Sequence, residues 1–106
     1  MWILESTDAE PPLLFRILPN TLKTLGRAPR ADFVVDAALV SRLHCRLALD
    51  DRDRLAIEDL GSTNGTWVNG QKIRRTPLMP GDRIRIGRVE FNVRLHQPAK
   101  ESAPQH

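Results

Sequence analysis

Apolar residues in this chain recur at every second position in short runs, and turn-forming residues break each run before it can lengthen. Leu43, Cys45, Leu47 and Leu49 share one parity, with His44 and Arg46 on the other. Period two is the mark of a strand with one face against a core. The alternation returns at Leu55 and Ile57 against Ala56 and Glu58, at Arg83-Ile84-Arg85-Ile86, and from Val89 to Leu95. Residues 2–6, 13–18, 21–25 and 33–35 read as further strands, divided by Pro11-Pro12 and Pro19-Asn20. Turn signals fall at Asp50-Asp51, Asn64-Gly65, Asn69-Gly70, Pro80-Gly81 and Gly87, and Asn69-Gly70 is a strong hairpin signal. No segment sustains a helical period. Many short strands at regular spacing predict an all-β sandwich or barrel.

A chain of 106 residues holds one domain and one core. Hydrophobic residues at 41% and charged residues at 27% place it among packed rather than disordered chains. Lys and Arg number 16 against 13 Asp and Glu, a net charge of +3. The arginines are spread from Arg16 to Arg94 and interleaved with acids, as in Asp50-Asp51-Arg52-Asp53-Arg54, which reads as a solvated turn. A nucleic-acid binder gathers its cations into a patch and often adds aromatic platforms; two Trp, three Phe and no Tyr supply few. Nucleic-acid binding is disfavoured.

Cys45, the one cysteine, cannot form an intrachain disulfide. That fits a reducing compartment, and its place beside Leu43 and Leu47 makes it an inert core thiol. Residues 1–8 lack the basic start and long apolar run of a signal peptide, and no stretch reaches membrane-spanning length. A cytoplasmic location is expected, with the nucleus as the alternative. Residues 97–106 are polar and unpatterned. They read as a flexible tail or the start of a linker behind a domain at 1–96.

Residues 59–70 alternate small, hydroxylated and amide residues with glycines: Asp59-Leu60-Gly61-Ser62-Thr63-Asn64-Gly65-Thr66-Trp67-Val68-Asn69-Gly70. Such a loop can aim several donors at one place while its glycines take positive φ. Gly26-Arg27 and Ser41-Arg42-Leu43-His44 precede it, and Gly81-Asp82-Arg83-Ile84-Arg85-Ile86-Gly87 follows. These four blocks, in this order, closely resemble the forkhead-associated (FHA) domain, over roughly Trp2 to Leu95. The resemblance implies a two-sheet β-sandwich of short, mostly antiparallel strands with binding loops at one end. It also implies a non-catalytic, phosphothreonine-dependent interaction module in Ser/Thr kinase signalling. Its partner would be a phosphothreonine-containing protein or peptide, bound by a monomeric domain with no cofactor.

A phosphothreonine site needs charge for a dianion, donors for its oxygens and an apolar contact for the threonine methyl. Arginine suits the first two needs because its planar fork donates in pairs and stays charged. The resemblance assigns the phosphate to Arg27 and to Ser41, whose hydroxyl and backbone N–H can both donate. Arg42 becomes a second cation at the rim, while Thr63 and Asn64 contact the phosphothreonine and the peptide backbone. Gly26, His44, Gly61, Ser62, Gly65 and Thr66 support the site, with His44 bracing the loops. Asp59, Trp67 and Gly81 are likewise architectural. Without the resemblance, Arg27 and Arg42 read equally as surface arginines, Ser41 as a turn initiator and Asn64 as a left-handed turn residue. The loop Asp36-Ala37-Ala38-Leu39-Val40 is apolar next to Ser41. It predicts no demand for an acidic residue three positions after the phosphothreonine, and tolerance of an aliphatic one.

Enzyme motifs are missing. Gly61-Ser62-Thr63-Asn64-Gly65 lacks the Gly-Lys-Ser/Thr of a phosphate loop, and no Gly-x-Ser-x-Gly elbow is present. Ser41 and His44, three apart on an expected strand, would point to opposite faces. His44 has no Cys or carboxylate at metal-ligand spacing, so no metal is expected. The alternative to phosphothreonine recognition is phosphate-independent protein interaction or self-association.

Overall fold

The computed structural model of the chain describes residues 1–8 and 11–96; the tail expected at 97–106 lies outside the described residues. Among the described residues the chain forms strands and no helix. The strands are β1 (Trp2–Ser6), β2 (Leu14–Ile17), β3 (Thr21–Gly26), β4 (Phe33–Val34), β5 (Cys45–Leu49), β6 (Leu55–Asp59), β7 (Thr66–Val68), β8 (Gln71–Ile73), β9 (Arg75–Leu78), β10 (Arg83–Ile86) and β11 (Val89–Leu95). They make a six-stranded sheet in the order β2-β1-β11-β10-β7-β8 and a five-stranded sheet in the order β4-β3-β5-β6-β9. Every pairing is antiparallel except β3 with β4. The fold is all-β, as the alternation predicts, and of the two architectures left open it is the two-sheet sandwich that the resemblance implies.

Period two explains which side chains meet. Cys45, Leu47 and Leu49 of β5 and Leu55 and Ile57 of β6 enter one core with Leu4, Ile84, Ile86, Phe91 and Val93 of the six-stranded sheet. Phe91 is fully buried at its centre. Phe15 on β2 stacks on Phe33 of β4 at 4.6 Å between centroids, which ties the two sheets together at one side. Burial drives the Cys45 thiol up to about 12, with Asp59 adding to the rise and a hydrogen bond with Thr66 opposing it. The cysteine is a core residue without thiolate chemistry at neutral pH.

Two expectations need correction. β5 begins at Cys45 rather than at residue 43, and His44 is fully buried instead of standing on a solvent-facing side with Arg46. The backbone bends at 41–44, where the His44 N–H bonds the Leu25 carbonyl at 2.8 Å, so strand parity does not apply. Strands β7, β8 and β9 carry little alternation of their own. Asn69-Gly70 does make the hairpin between β7 and β8, with φ of 52° and 83°, the mirror-image turn that such a dipeptide favours. Pro77 sits in β9 at the sheet edge, where its missing N–H costs no ladder bond.

The registers set the site's position. β3 ends at Gly26 beside the start of β5, β6 ends at Asp59, and β7 starts at Thr66 opposite Ile86. Loops 27–32, 35–44, 60–65 and 87–88 therefore gather at one end of the sandwich. Phe91→Ala should lower unfolding free energy by roughly 3–5 kcal/mol, measured by urea denaturation. Leu18→Ala, at a position 53% exposed, should change it by no more than about 0.5 kcal/mol.

Candidate functional site

A close backbone approach fixes the first element of the site. A Cβ on Gly26 would lie 2.0 Å from the Arg42 carbonyl oxygen, so only glycine lets residues 41–43 cross the end of β3. Across that contact the Arg27 N–H bonds the Ser41 carbonyl at 3.0 Å and the Ala28 N–H bonds the Arg42 carbonyl at 3.1 Å. Arg27 is thereby held on the first residue past β3. Its side-chain Nε donates to the Val40 carbonyl at 3.0 Å. Among the described residues its two Nη groups have no protein partner and no ion pair engages them.

His44 joins the two loops that face Arg27. Its Nδ1 accepts the Ser41 N–H at 3.0 Å and its Nε2 meets the Gly65 carbonyl at 2.8 Å. An N–H can only donate and a carbonyl can only accept, so the ring is assigned as the tautomer with hydrogen on Nε2. The bracing role expected of His44 thus has a defined pair of partners, one in each loop. The same geometry corrects the reading of Ser41, because its backbone N–H is spent on His44. Only the hydroxyl remains for a ligand. Ser41 Oγ accepts the Thr63 N–H at 3.1 Å, which leaves the hydroxyl proton to donate.

Asn64 closes the circle by donating Nδ2–H to the Leu39 carbonyl at 3.1 Å. Its Oδ1 and second amide hydrogen stay available for an extended backbone. Leu39 takes a φ of 71°, a conformation costly for a leucine, and its side chain is 47% exposed. Gly87 lies underneath: a Cβ there would come within 3.0 Å of the Ala38 carbonyl oxygen.

Asp59 organises the 60–65 loop from the end of β6. Its carboxylate accepts the N–H groups of Gly61 (3.0 Å) and Ser62 (3.1 Å) and the hydroxyls of Ser62 (2.6 Å) and Thr66 (2.7 Å). Ser62 Oγ then accepts the Gly65 N–H at 2.9 Å. Partial burial pushes Asp59 upward, but these donors outweigh it and hold the carboxyl below its ordinary value. Trp67 packs beside the loop, with Nε1 donating to the Asn64 carbonyl at 3.3 Å and the Arg85 guanidinium 4.8 Å from its ring centre.

Arg27, Ser41, Thr63 and Asn64 line a concavity of about 450 Å³ together with Ala38, Leu39 and Val40. Arg42 does not line it. Its carbonyl is held at the Gly26 crossing and its side chain stands exposed outside. The sequence places Leu39 in the selectivity loop and Gly87 at the end of the fourth motif block, but neither the positive φ of Leu39 nor the close approach of Gly87 to Ala38 has a sequence signal. Ser41 and His44 are neighbours here rather than opposed, yet both ring nitrogens are bonded to backbone groups. None is left to deprotonate the hydroxyl, so the pair cannot act as nucleophile and base.

Comparison with known proteins gives the same picture. The family model of the FHA domain matches residues 23–87. The glycogen accumulation regulator GarA of Mycobacterium tuberculosis is 33% identical over 75 residues, covering 71% of this chain and 46% of GarA. The chain thus spans about half the length of this curated relative. The crystal structure of the FhaA FHA domain complexed with the intracellular domain of Rv3910 superposes with a TM-score of 0.81 at 31% identity, covering 89% of this chain and 100% of that one; FhaA is a Mycobacterium tuberculosis protein. A structure from an analysis of phosphothreonine-dependent FHA domain interactions superposes with a TM-score of 0.79 at 32% identity, over 91% of this chain and 97% of that one.

The depressed Asp59 carboxyl favours the fold fully above its ordinary value of 3.8, and that contribution fades as pH falls through the lower folded value. Asp59→Asn should cost about 1–3 kcal/mol at neutral pH and flatten the acid dependence of stability below pH 3.8. Urea denaturation at neutral and acid pH measures both effects.

Proposed function

We propose that this chain, which belongs to the FHA domain family, reads phosphothreonine in a partner protein through Arg27, Ser41, Thr63 and Asn64. FHA domains bind phosphothreonine peptides as non-catalytic modules of kinase signalling. The observation that carries the residue assignment is the anchoring of Arg27. With Nε fixed on the Val40 carbonyl, the guanidinium offers its remaining donors at low entropic cost. The Ser41 hydroxyl, oriented by the Thr63 N–H, supplies a further donor at the same concavity. Asn64 supplies an acceptor and a donor for the peptide main chain. Arg42, exposed beside Ser41 and outside the lining of the concavity, contributes positive charge from the rim.

The domain of this reading comprises residues 1–96, and its place is the cytoplasm, consistent with a single buried free cysteine. Among the described residues no helix is long and apolar enough to cross a membrane. Absence of catalysis is supported by the ring nitrogens of His44, both committed to backbone partners. A Ser/Thr kinase would mark the partner, and this chain would then recruit it.

Selectivity follows from the loop that Asn64 holds. Leu39 presents an exposed aliphatic surface next to the concavity, so the ligand residue lying over it should be aliphatic rather than acidic. A degenerate phosphothreonine library should show no selection for Asp three positions after the phosphate; clear selection for Asp there contradicts this assignment. Arg27→Ala should weaken phosphopeptide binding by about 1.5–3 kcal/mol with the thermal midpoint unchanged, read by calorimetric titration. Phosphoserine in place of phosphothreonine should cost roughly 0.8 kcal/mol for the lost methyl contact. Equal affinity for phosphorylated and plain peptide would instead favour a phosphate-independent interaction domain.

A further inference from the structure

The outward face of the five-stranded sheet carries a pattern that the phosphothreonine loops do not use. Leu22, Ala48, Ala56 and Pro77 lie in direct register across β3, β5, β6 and β9. They form one apolar row across four of the sheet's five strands, and Leu22 is 61% exposed. The two alanines floor a depression of about 490 Å³, walled by Leu22 on one side and Pro77 on the other.

Charges bracket this row in a checkerboard. Toward the loop end, Arg46 on β5 pairs with Glu58 on β6 at 2.5 Å. Toward the other end, Asp50 just after β5 pairs with Arg54 just before β6 at 2.8 Å. Each strand therefore carries one cation and one anion, in opposite order, around a neutral centre. These four charges cancel, and Arg75 on β9, exposed and in register with Glu58, leaves a single positive charge at the edge of the face, too little for strong long-range attraction. A two-fold axis in the plane of the sheet, parallel to the strands, exchanges β5 with β6. It sets Arg46 of one copy against Glu58 of the second, Asp50 against Arg54, and Leu22 over Pro77. The pattern is self-complementary, as an isologous contact requires.

We propose that this face binds a second copy of the chain, forming a weak symmetric dimer with the phosphothreonine loops left open at the end of each sandwich. This departs from the monomeric domain expected from the sequence. It rests on the sheet face alone and does not depend on the phosphothreonine reading. Four strands of four to six residues, spaced about 4.8 Å apart, make a face of roughly 300 Å², which is small for a permanent interface and places the contact in the transient class. Two open loop ends in one dimer would let it engage two phosphorylated sites together, so weak single contacts gain through effective concentration.

Sedimentation velocity of the full chain from micromolar to millimolar concentration tests the proposal. The weight-average mass should rise toward twice the monomer value, and high salt should oppose the rise by screening the exposed charges. Ala48→Glu, which sets a carboxylate into the alanine floor, should weaken association about tenfold or more. Circular dichroism and thermal melting control for its folding. Should that variant fail to fold, Glu58→Arg provides a second test, since it sets like charges against Arg46 of the other copy. A mass that stays monomeric at the highest concentration overturns the proposal. So does a rise that survives substitution in a folded variant.

Discussion

The buried imidazole of His44 is the contact on which the loop end of this sandwich depends. One ring nitrogen receives the Ser41 N–H and the other meets the Gly65 carbonyl. Neither loop is regular secondary structure, and both would otherwise leave a backbone group unpaired beside the core. A fully buried side chain with two fixed partners makes the two loops one unit. The Ser41 hydroxyl, the Thr63 amide and the Asn64 side chain inherit their positions from it. Arg27 joins the unit from a different direction, through the Gly26 crossing and the Val40 carbonyl. The site is thus built mostly from main-chain geometry, with its exposed side chains mounted on a hydrogen-bonded frame.

Sequence pattern revealed much of this, and its failures have physical causes. Strands with one parity in the core, such as β5, β6, β10 and β11, announce themselves because burial acts on every second residue. β8 runs along an edge and exposes most of its length, so its Gln71 and Lys72 carry no apolar signal. β9 contains a proline, which propensity alone argues against in a strand. The parity of His44 misled because a bend at 41–44 interrupts the alternation. Gly26, Arg27, Ser41, Thr63 and Asn64 could be picked out only by the order of their motifs. The competing demand on the Ser41 N–H is a tertiary contact that no local pattern encodes. The same holds for Leu39, whose strained backbone is stabilised by a side chain 25 positions away.

The molecule divides its surfaces by position. Among the described residues, the loops at one end carry the cations Arg27 and Arg42 without an ion pair. The outward side of the five-stranded sheet carries the pairs Arg46–Glu58 and Asp50–Arg54 around an apolar row, with Arg75 at its edge. Strand register produces both. The same antiparallel pairing that brings Gly26, Asp59 and Thr66 to one end lines up Leu22, Ala48, Ala56 and Pro77 along the side. Changes on the side can therefore be made without touching the bonds around His44.

The most direct test of the central claim is a set of nitrogen–proton correlation spectra recorded while a phosphothreonine peptide, and then its unphosphorylated twin, is added. The account predicts that the Arg27 Nε–H, the Thr63 backbone amide and the Asn64 side-chain amide shift with the phosphorylated peptide alone. The Ser41 backbone amide, spent on His44, should keep the signature of a hydrogen-bonded group throughout. Identical shifts with both peptides, or phosphate-dependent shifts that bypass Arg27, would contradict it.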